Sequence, residues 1–177
     1  MTSSDPIPTP LELYQCPVKT EWVDHNGHMS FGCYSMAFYE ATDALSEYLG
    51  FTRKYKDETN TANFAANMHL SYRREVKEND PLTFRTLIIG CDVKRVHVWH
   101  EMWHSEQGYI AATCELFSLH IDKSIRRVAP MAEEIFTGIE KIRAAHSSVT
   151  RPKGLGFVIE INPKSAPLNR HLTSGST

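Results

Sequence analysis

Apolar and polar residues alternate along this chain with two different periods. After Ser30, which can cap a helix, Tyr34, Ala37, Phe38, Ala41, Leu45 and Tyr48 recur at three- and four-residue steps. That spacing marks one helical face, with Gly50 a suitable terminator. Gly32, Ala37, Ala41 and Ala44 keep the helix slim, so a sheet can curl closely around it. From Asn63 the period becomes two: Met68, Leu70 and Tyr72 share one face, opposite His69, Ser71 and Arg73. Strands are predicted over 82–89, 95–104 and 109–121, separated by turn-forming E-N-D-P, G-C-D-V-K-R and S-E-Q-G. Val18 to Val23 reads as a first strand. Met131 to Ala145 reads as a last helix, with Ile135, Ile139 and Ile142 on one face and its acids early and bases late.

The expected order is strand, long apolar helix, four antiparallel strands in a meander, and an amphipathic helix. This is an α+β layer arrangement. A single curled sheet around one central helix is the hotdog architecture. Residues 1–12, rich in Pro, Ser and Thr, read as a loose segment, 13–160 as the folded domain, and 161–177 as a mobile tail.

The 177 residues suffice for one core, and 41% hydrophobic with 23% charged residues is ordinary for a soluble domain. A net charge of −2 gives no field for nucleic acid or a membrane surface. No apolar run spans a bilayer, and the N-terminus does not read as a signal peptide. Cys16, Cys33, Cys91 and Cys114 have no paired spacing, so reduced thiols in a cytoplasm are expected.

Two motifs carry candidate chemistry. Residues 100–104, H-E-M-W-H, match the zinc-protease signature, which requires a helix to bring both imidazoles to one metal. The flanks read as a strand, on which His100 and His104 would lie roughly 13 Å apart. No metal is therefore expected. The second motif, D-H-N-G-H from Asp24, sits between the predicted strand and the apolar helix. Helix-start amides lack internal partners and favour negative charge. A carboxylate beside such a site can activate water or attack a carbonyl whose oxyanion the amides hold.

D-H-N-G-H-M followed by a Tyr-containing helix resembles the hotdog acyl-CoA thioesterases of the 4-hydroxybenzoyl-CoA thioesterase-like group. The resemblance implies Asp24 as catalytic acid, Gly27 and His28 as the Gly-His of the motif, and the Phe31 amide as the group that polarises the thioester carbonyl. Many relatives carry a second acid where this chain has Trp22. E-W-V-D-H-N-G-H-M, A-T-D-A-L, Y-R-R-E-V and R-P-K-G-L-G together look like the betainyl-CoA thioesterases of carnitine breakdown, some fused to carnitine dehydrogenases. Relatives often place a polar or acidic residue at the Phe31 position.

An acyl-CoA substrate is thus implied, with a short polar acyl group and betainyl-CoA as the sharpest candidate. No cofactor is implied. The expected assembly is a homodimer or a tetramer, with the site at the subunit interface. Asn26, Gly27, His28, Met29, Tyr34, Phe64 and Trp99 are candidate substrate contacts. Tyr72 and Trp103 add aromatic surface for a trimethylammonium group. Arg73, Arg74 and Lys77 are candidates for CoA phosphates. A hotdog hydratase and a non-catalytic acyl-CoA or acyl-carrier binding module are the alternatives. Whether Asp24 acts as base or nucleophile stays open.

Overall fold

The computed structural model describes residues 6–157. The elements run β1 (Leu11–Pro17), α1 (Phe31–Tyr48), α2 (Arg53–Glu58), β2 (Thr61–Tyr72), β3 (Pro81–Asp92), β4 (Arg95–His104), β5 (Tyr109–Asp122), β6 (Arg127–Val128) and α3 (Glu133–His146). The antiparallel sheet has the order β1-β3-β4-β5-β2, and β6 pairs with the end of β5. This is the expected α+β arrangement of one curled sheet around a long helix.

Helix α1 turns its predicted face to the sheet: Tyr34, Ala37, Phe38, Ala41 and Leu45 are all buried. Phe38 meets Phe84 of β3 edge-on, with centroids 5.6 Å apart. Burial of each such large side chain stabilises the fold by about 1.5–3 kcal/mol. On β4 the period-two pattern sends Val96, Val98, His100, Met102 and His104 inward and His97, Glu101 and Trp103 to the other face. Helix α3 adds Ile139 and Ile142 to the same core. At the end of α1, Gly50 lies against Ile135 of α3; its φ of +93° is the left-handed conformation that ends the helix.

Three expectations change. The first strand is Leu11–Pro17, not Val18–Val23, and Leu11 is fully buried, so ordered chain begins inside the segment read as loose. Pro17 closes the strand, and Thr20–Trp22 forms a 3-10 turn that buries Trp22, with Lys19 lying 4.6 Å over its ring. The four strands do not form a simple meander, because β2 pairs with β5 rather than with β3. The β2–β3 connection, residues 73–80, passes the ends of β5 and β4. Its eight residues reach up to about 26 Å, and crossing three strand spacings needs about 14 Å. Helix α2 and strand β6 were not anticipated. The expected tail, 161–177, lies outside the described residues.

Candidate active site at the start of the central helix

The D-H-N-G-H segment closes into a tight loop. The Asp24 amide donates to the His28 carbonyl at 3.0 Å and the Gly27 amide to the Asp24 carbonyl at 3.0 Å. Gly27 has φ of +79°, and nothing lies within 4 Å of where its Cβ would stand. Glycine is favoured here by torsion, not by lack of room. The loop is pinned on both sides: the Met29 amide donates to the Val76 carbonyl at 2.9 Å, and Ser30 to Trp22 at 2.8 Å. The Asp24 carboxylate accepts the Asn26 amide at 2.8 Å. That bond, with smaller contributions from the Asn26 side chain, His25 and the His28 amide, holds its carboxyl below the usual carboxylate range. Asp24 is therefore an anion at neutral pH.

Helix α1 starts immediately after this loop. Ser30 occupies the N-cap position, but its hydroxyl caps nothing. The Cys33 amide turns back to the Ser30 carbonyl at 2.9 Å. Among the described residues, the amides of Phe31 and Gly32 have no hydrogen-bond acceptor. Two free donors thus stand at the positive end of an 18-residue helix. The Phe31 ring is 78% exposed, and the Phe31 carbonyl accepts the Tyr72 hydroxyl at 3.2 Å, which ties the helix start to the end of β2.

The other candidate residues divide. Asn26 and Gly27 are exposed in the loop itself. His28 pairs with Glu75 at 3.2 Å, and Arg73, Arg74 and Lys77 are exposed on the same 73–80 connection. The chain therefore brings its basic cluster beside the acidic loop. Arg74 stacks 4.0 Å over Tyr109, while Arg73 reaches Gly154 in the segment after α3. Phe64 is exposed on β2. Three of the candidates are buried. Met29 points into the core and is 5% exposed. Tyr34 is equally buried and presents its ring to Tyr72 at 5.2 Å, so it supports the site from beneath. Trp99 alternates onto the face of β4 away from α1, bonds Glu101 at 3.2 Å and lies under Gly154, against which Arg73 also rests.

A cavity of about 230 Å³ lies between the second half of α1 and the sheet. Its lining includes Tyr39, Asp43, Phe51, Lys56, Asn63 and His120. It was not anticipated, although Tyr39 and Asp43 stand four residues apart and so share a helix face.

Comparison with known proteins joins these features to one family. The sequence pattern of the thioesterase-like superfamily matches residues 18–139, which hold the loop, α1 and the whole four-stranded body of the sheet. The chain belongs to the thioesterase-like superfamily. Within it, the chain is 35% identical to a betainyl-CoA thioesterase of Pseudomonas aeruginosa over 153 residues, 86% of this chain and 96% of that protein. It is 28% identical over 147 residues to an L-carnitine dehydrogenase/betainyl-CoA thioesterase of Rhizobium meliloti, 83% of this chain and 29% of that longer protein. A Staphylococcus aureus protein solved in complex with CoA superposes with a TM-score of 0.81 at 25% identity, covering 87% of this chain and 98% of that one. The expected resemblance to hotdog acyl-CoA thioesterases is thereby shown, and with it the fold and a thioester hydrolase activity.

In a thioesterase-like chain the H-E-M-W-H segment has a different meaning. It lies on β4, as its flanks suggest. Thr42 gives its proton to the Phe38 carbonyl, so His100 donates from Nε2 to the Thr42 oxygen at 3.3 Å and accepts the Thr86 hydroxyl at Nδ1, 2.8 Å away. Burial pushes the His100 ring down to about 4, which keeps it neutral. His104 accepts the Gln107 amide at Nδ1, with Nε2 facing Asp80 at 3.5 Å. Both rings spend their lone pairs on protein donors.

Proposed function

We propose that this enzyme hydrolyses the CoA thioester of a short polar acyl group, with betainyl-CoA the leading substrate, at the junction of the Asp24 loop and α1. The observation that carries the reading is the pair of unpartnered amides, Phe31 and Gly32, at the start of the helix into which the loop of the ionised Asp24 leads. The thioester carbonyl oxygen points at those amides. Asp24 either takes a proton from water, whose oxygen attacks the carbonyl carbon, or attacks that carbon itself to form a mixed anhydride. Both routes place negative charge on the same oxygen, where the amides and helix dipole stabilise it. On the first route the carbon–sulfur bond then breaks and CoA leaves as its thiol with the proton that Asp24 took from water. On the second, CoA leaves as its thiolate as the anhydride forms, and water then cleaves the anhydride, which frees the acid, restores the Asp24 carboxylate and supplies the thiolate's proton. Arg73, Arg74 and Lys77 lie where they can meet CoA phosphates. His28, held by Glu75, and Asn26 line the approach. The relatives named for betainyl-CoA support the acyl group, and the CoA-bound neighbour supports the carrier.

The working unit is a homodimer joined along β2, whose outer edge has no partner strand among the described residues. Among the described residues no helix is long and apolar enough to cross a membrane, and the four cysteines are free thiols. Both fit a cytoplasmic site of action. A panel of acyl-CoAs, scored by thiol release, tests the activity. Asp24→Asn keeps size and fold and loses roughly 100-fold or more in turnover. Near-normal turnover in that variant removes Asp24 from the chemistry.

A further inference from the structure

The cavity behind α1 is out of reach of the helix start in its own chain. Asp43 lies twelve residues beyond Phe31, about 18 Å along the axis at ~1.5 Å per residue. A short acyl group extends only a few ångströms past its carbonyl. The two places are also tied to opposite ends of one strand. Asn63 and Ala65, early in β2, line the cavity, whereas Tyr72, its last residue, holds the helix start.

A second copy closes the gap. Among the described residues the long outer edge of β2 has no partner strand, and from Thr61 to Ser71 it contains no Asp, Glu, Lys, Arg or Pro. Those are the residues with which solitary edge strands block pairing. Of the eleven large apolar side chains exposed among the described residues, six, Phe31, Met36, Tyr39, Phe64, Met68 and Tyr72, lie on α1 or β2. This is the composition of a self-complementary face. Two β2 strands related by a two-fold axis across that edge run antiparallel. When the axis passes near the middle of β2, each copy's Asn63 and Ala65 stand beside the other's Tyr72, and each cavity stands beside the other's helix start.

Resting on the thioesterase reading above, we propose that Asp43 of the second copy is the counter-ion that selects a cationic acyl group. The acyl carbonyl is held at one copy's Phe31 and Gly32 amides, and the acyl tail enters the other copy's cavity. There Asp43 makes no ion pair with any described residue. Tyr39, one turn away, and Phe51 line the same cavity, and a quaternary ammonium is attracted to aromatic rings. Lys56 lines the cavity from α2 with the opposite charge. Its long stem can carry the ammonium to water, while the short Asp43 side chain is fixed to α1. His120 is occupied: its Nδ1 donates to the Ala129 carbonyl at 2.9 Å, and its Nε2 lies 3.3 Å from the Tyr55 hydroxyl.

The test compares kcat/KM for betainyl-CoA with that for 3,3-dimethylbutyryl-CoA, a neutral analogue of the same shape. The native dimer favours betainyl-CoA by roughly tenfold or more, the scale of a good charge and ring contact. Asp43→Asn collapses the ratio, and Lys56→Gln raises it or leaves it. A ratio near one in the native dimer, or one that Asp43→Asn does not change, overturns the proposal. The sharing of the site is read from a heterodimer of one Asp24→Asn chain and one Asp43→Arg chain, isolated through two different tags. One of its two sites is intact, so it hydrolyses betainyl-CoA at about half the native rate, while each parent homodimer is inactive. An inactive heterodimer places both residues in one copy's site and overturns the two-copy arrangement. Asp24-dependent hydrolysis that ignores Asp43 leaves the thioesterase reading intact; hydrolysis that ignores Asp24 removes that reading first.

Discussion

Replacing Phe31 by proline deletes one hydrogen-bond donor from the site and little else. Proline is well tolerated at the first position of a helix, where its fixed φ suits the turn and its missing N–H has no intrahelical partner to lose. Ser30, with φ of −60° and ψ of 140°, already has the conformation that a residue before proline requires. The Phe31 ring is mostly exposed in the single chain, so its loss costs that chain's own fold no more than about 0.5 kcal/mol, and its share in the face between copies is read from Phe31→Ala. The Phe31 carbonyl remains to accept the Tyr72 hydroxyl. What disappears is the amide assigned to the developing oxyanion. Loss of one such donor costs about 2.7–4 kcal/mol of transition-state stabilisation, or roughly 100- to 1000-fold in kcat. The Gly32 amide stays, so the lower end of that range is expected. Phe31→Ala, which keeps the N–H, is the control for the ring. Thiol-release kinetics on both variants, with circular dichroism and Tm beside them, isolate the amide. If Phe31→Pro keeps its Tm and turns over within about threefold of Phe31→Ala, the helix start does not hold the oxyanion and the mechanism is wrong.

Two further outcomes depend on pH. On the proposed mechanism the ionised form of Asp24 is the active one, and its folded carboxyl lies below the ordinary value, so kcat/KM falls only as pH drops through that lowered value. Brief pH-jump assays check this; an acid limb near pH 6 that vanishes in Asp24→Asn would contradict it. His100 acts on stability instead, since its folded value of about 4 lies below its ordinary 6.5. The neutral ring's contribution is complete above about pH 6.5 and is lost as pH falls toward 4, roughly 2 kcal/mol between pH 7 and pH 5. Urea unfolding of the native protein and of His100→Gln at both pH values measures it, and an equal acid loss in the variant refutes it. His146, also pushed down by burial, is common to both proteins and cancels.

The inward face of α1 and the bounds of β4 were legible because a helix or strand with one buried face repeats its apolar residues at that element's own period. The turn glycine and the acid of D-H-N-G-H were legible for a related reason: only special backbone torsions and charge explain those residues at such a junction. The neighbour of β2 was hidden. A period of two tells which face is buried, but not which strand lies alongside. Trp99 shows the same limit, since alternation placed it on a face without revealing the Gly154 segment that covers it. Prolines around Ile7 disguised the start of β1, and Asp43 looked like any solvated helix charge until the cavity gave it surroundings.

The idle hydroxyl of Ser30 has a consequence for how this fold trades robustness against turnover. A capping side chain in that place contributes about 1 kcal/mol to an ordinary helix. On the proposed mechanism that contribution is withheld until a carbonyl oxygen arrives. The substrate is thus, for the duration of each turnover, the missing end of the molecule's longest helix. Selection for greater thermal endurance at this one position would produce a sturdier protein that competes with its own reaction.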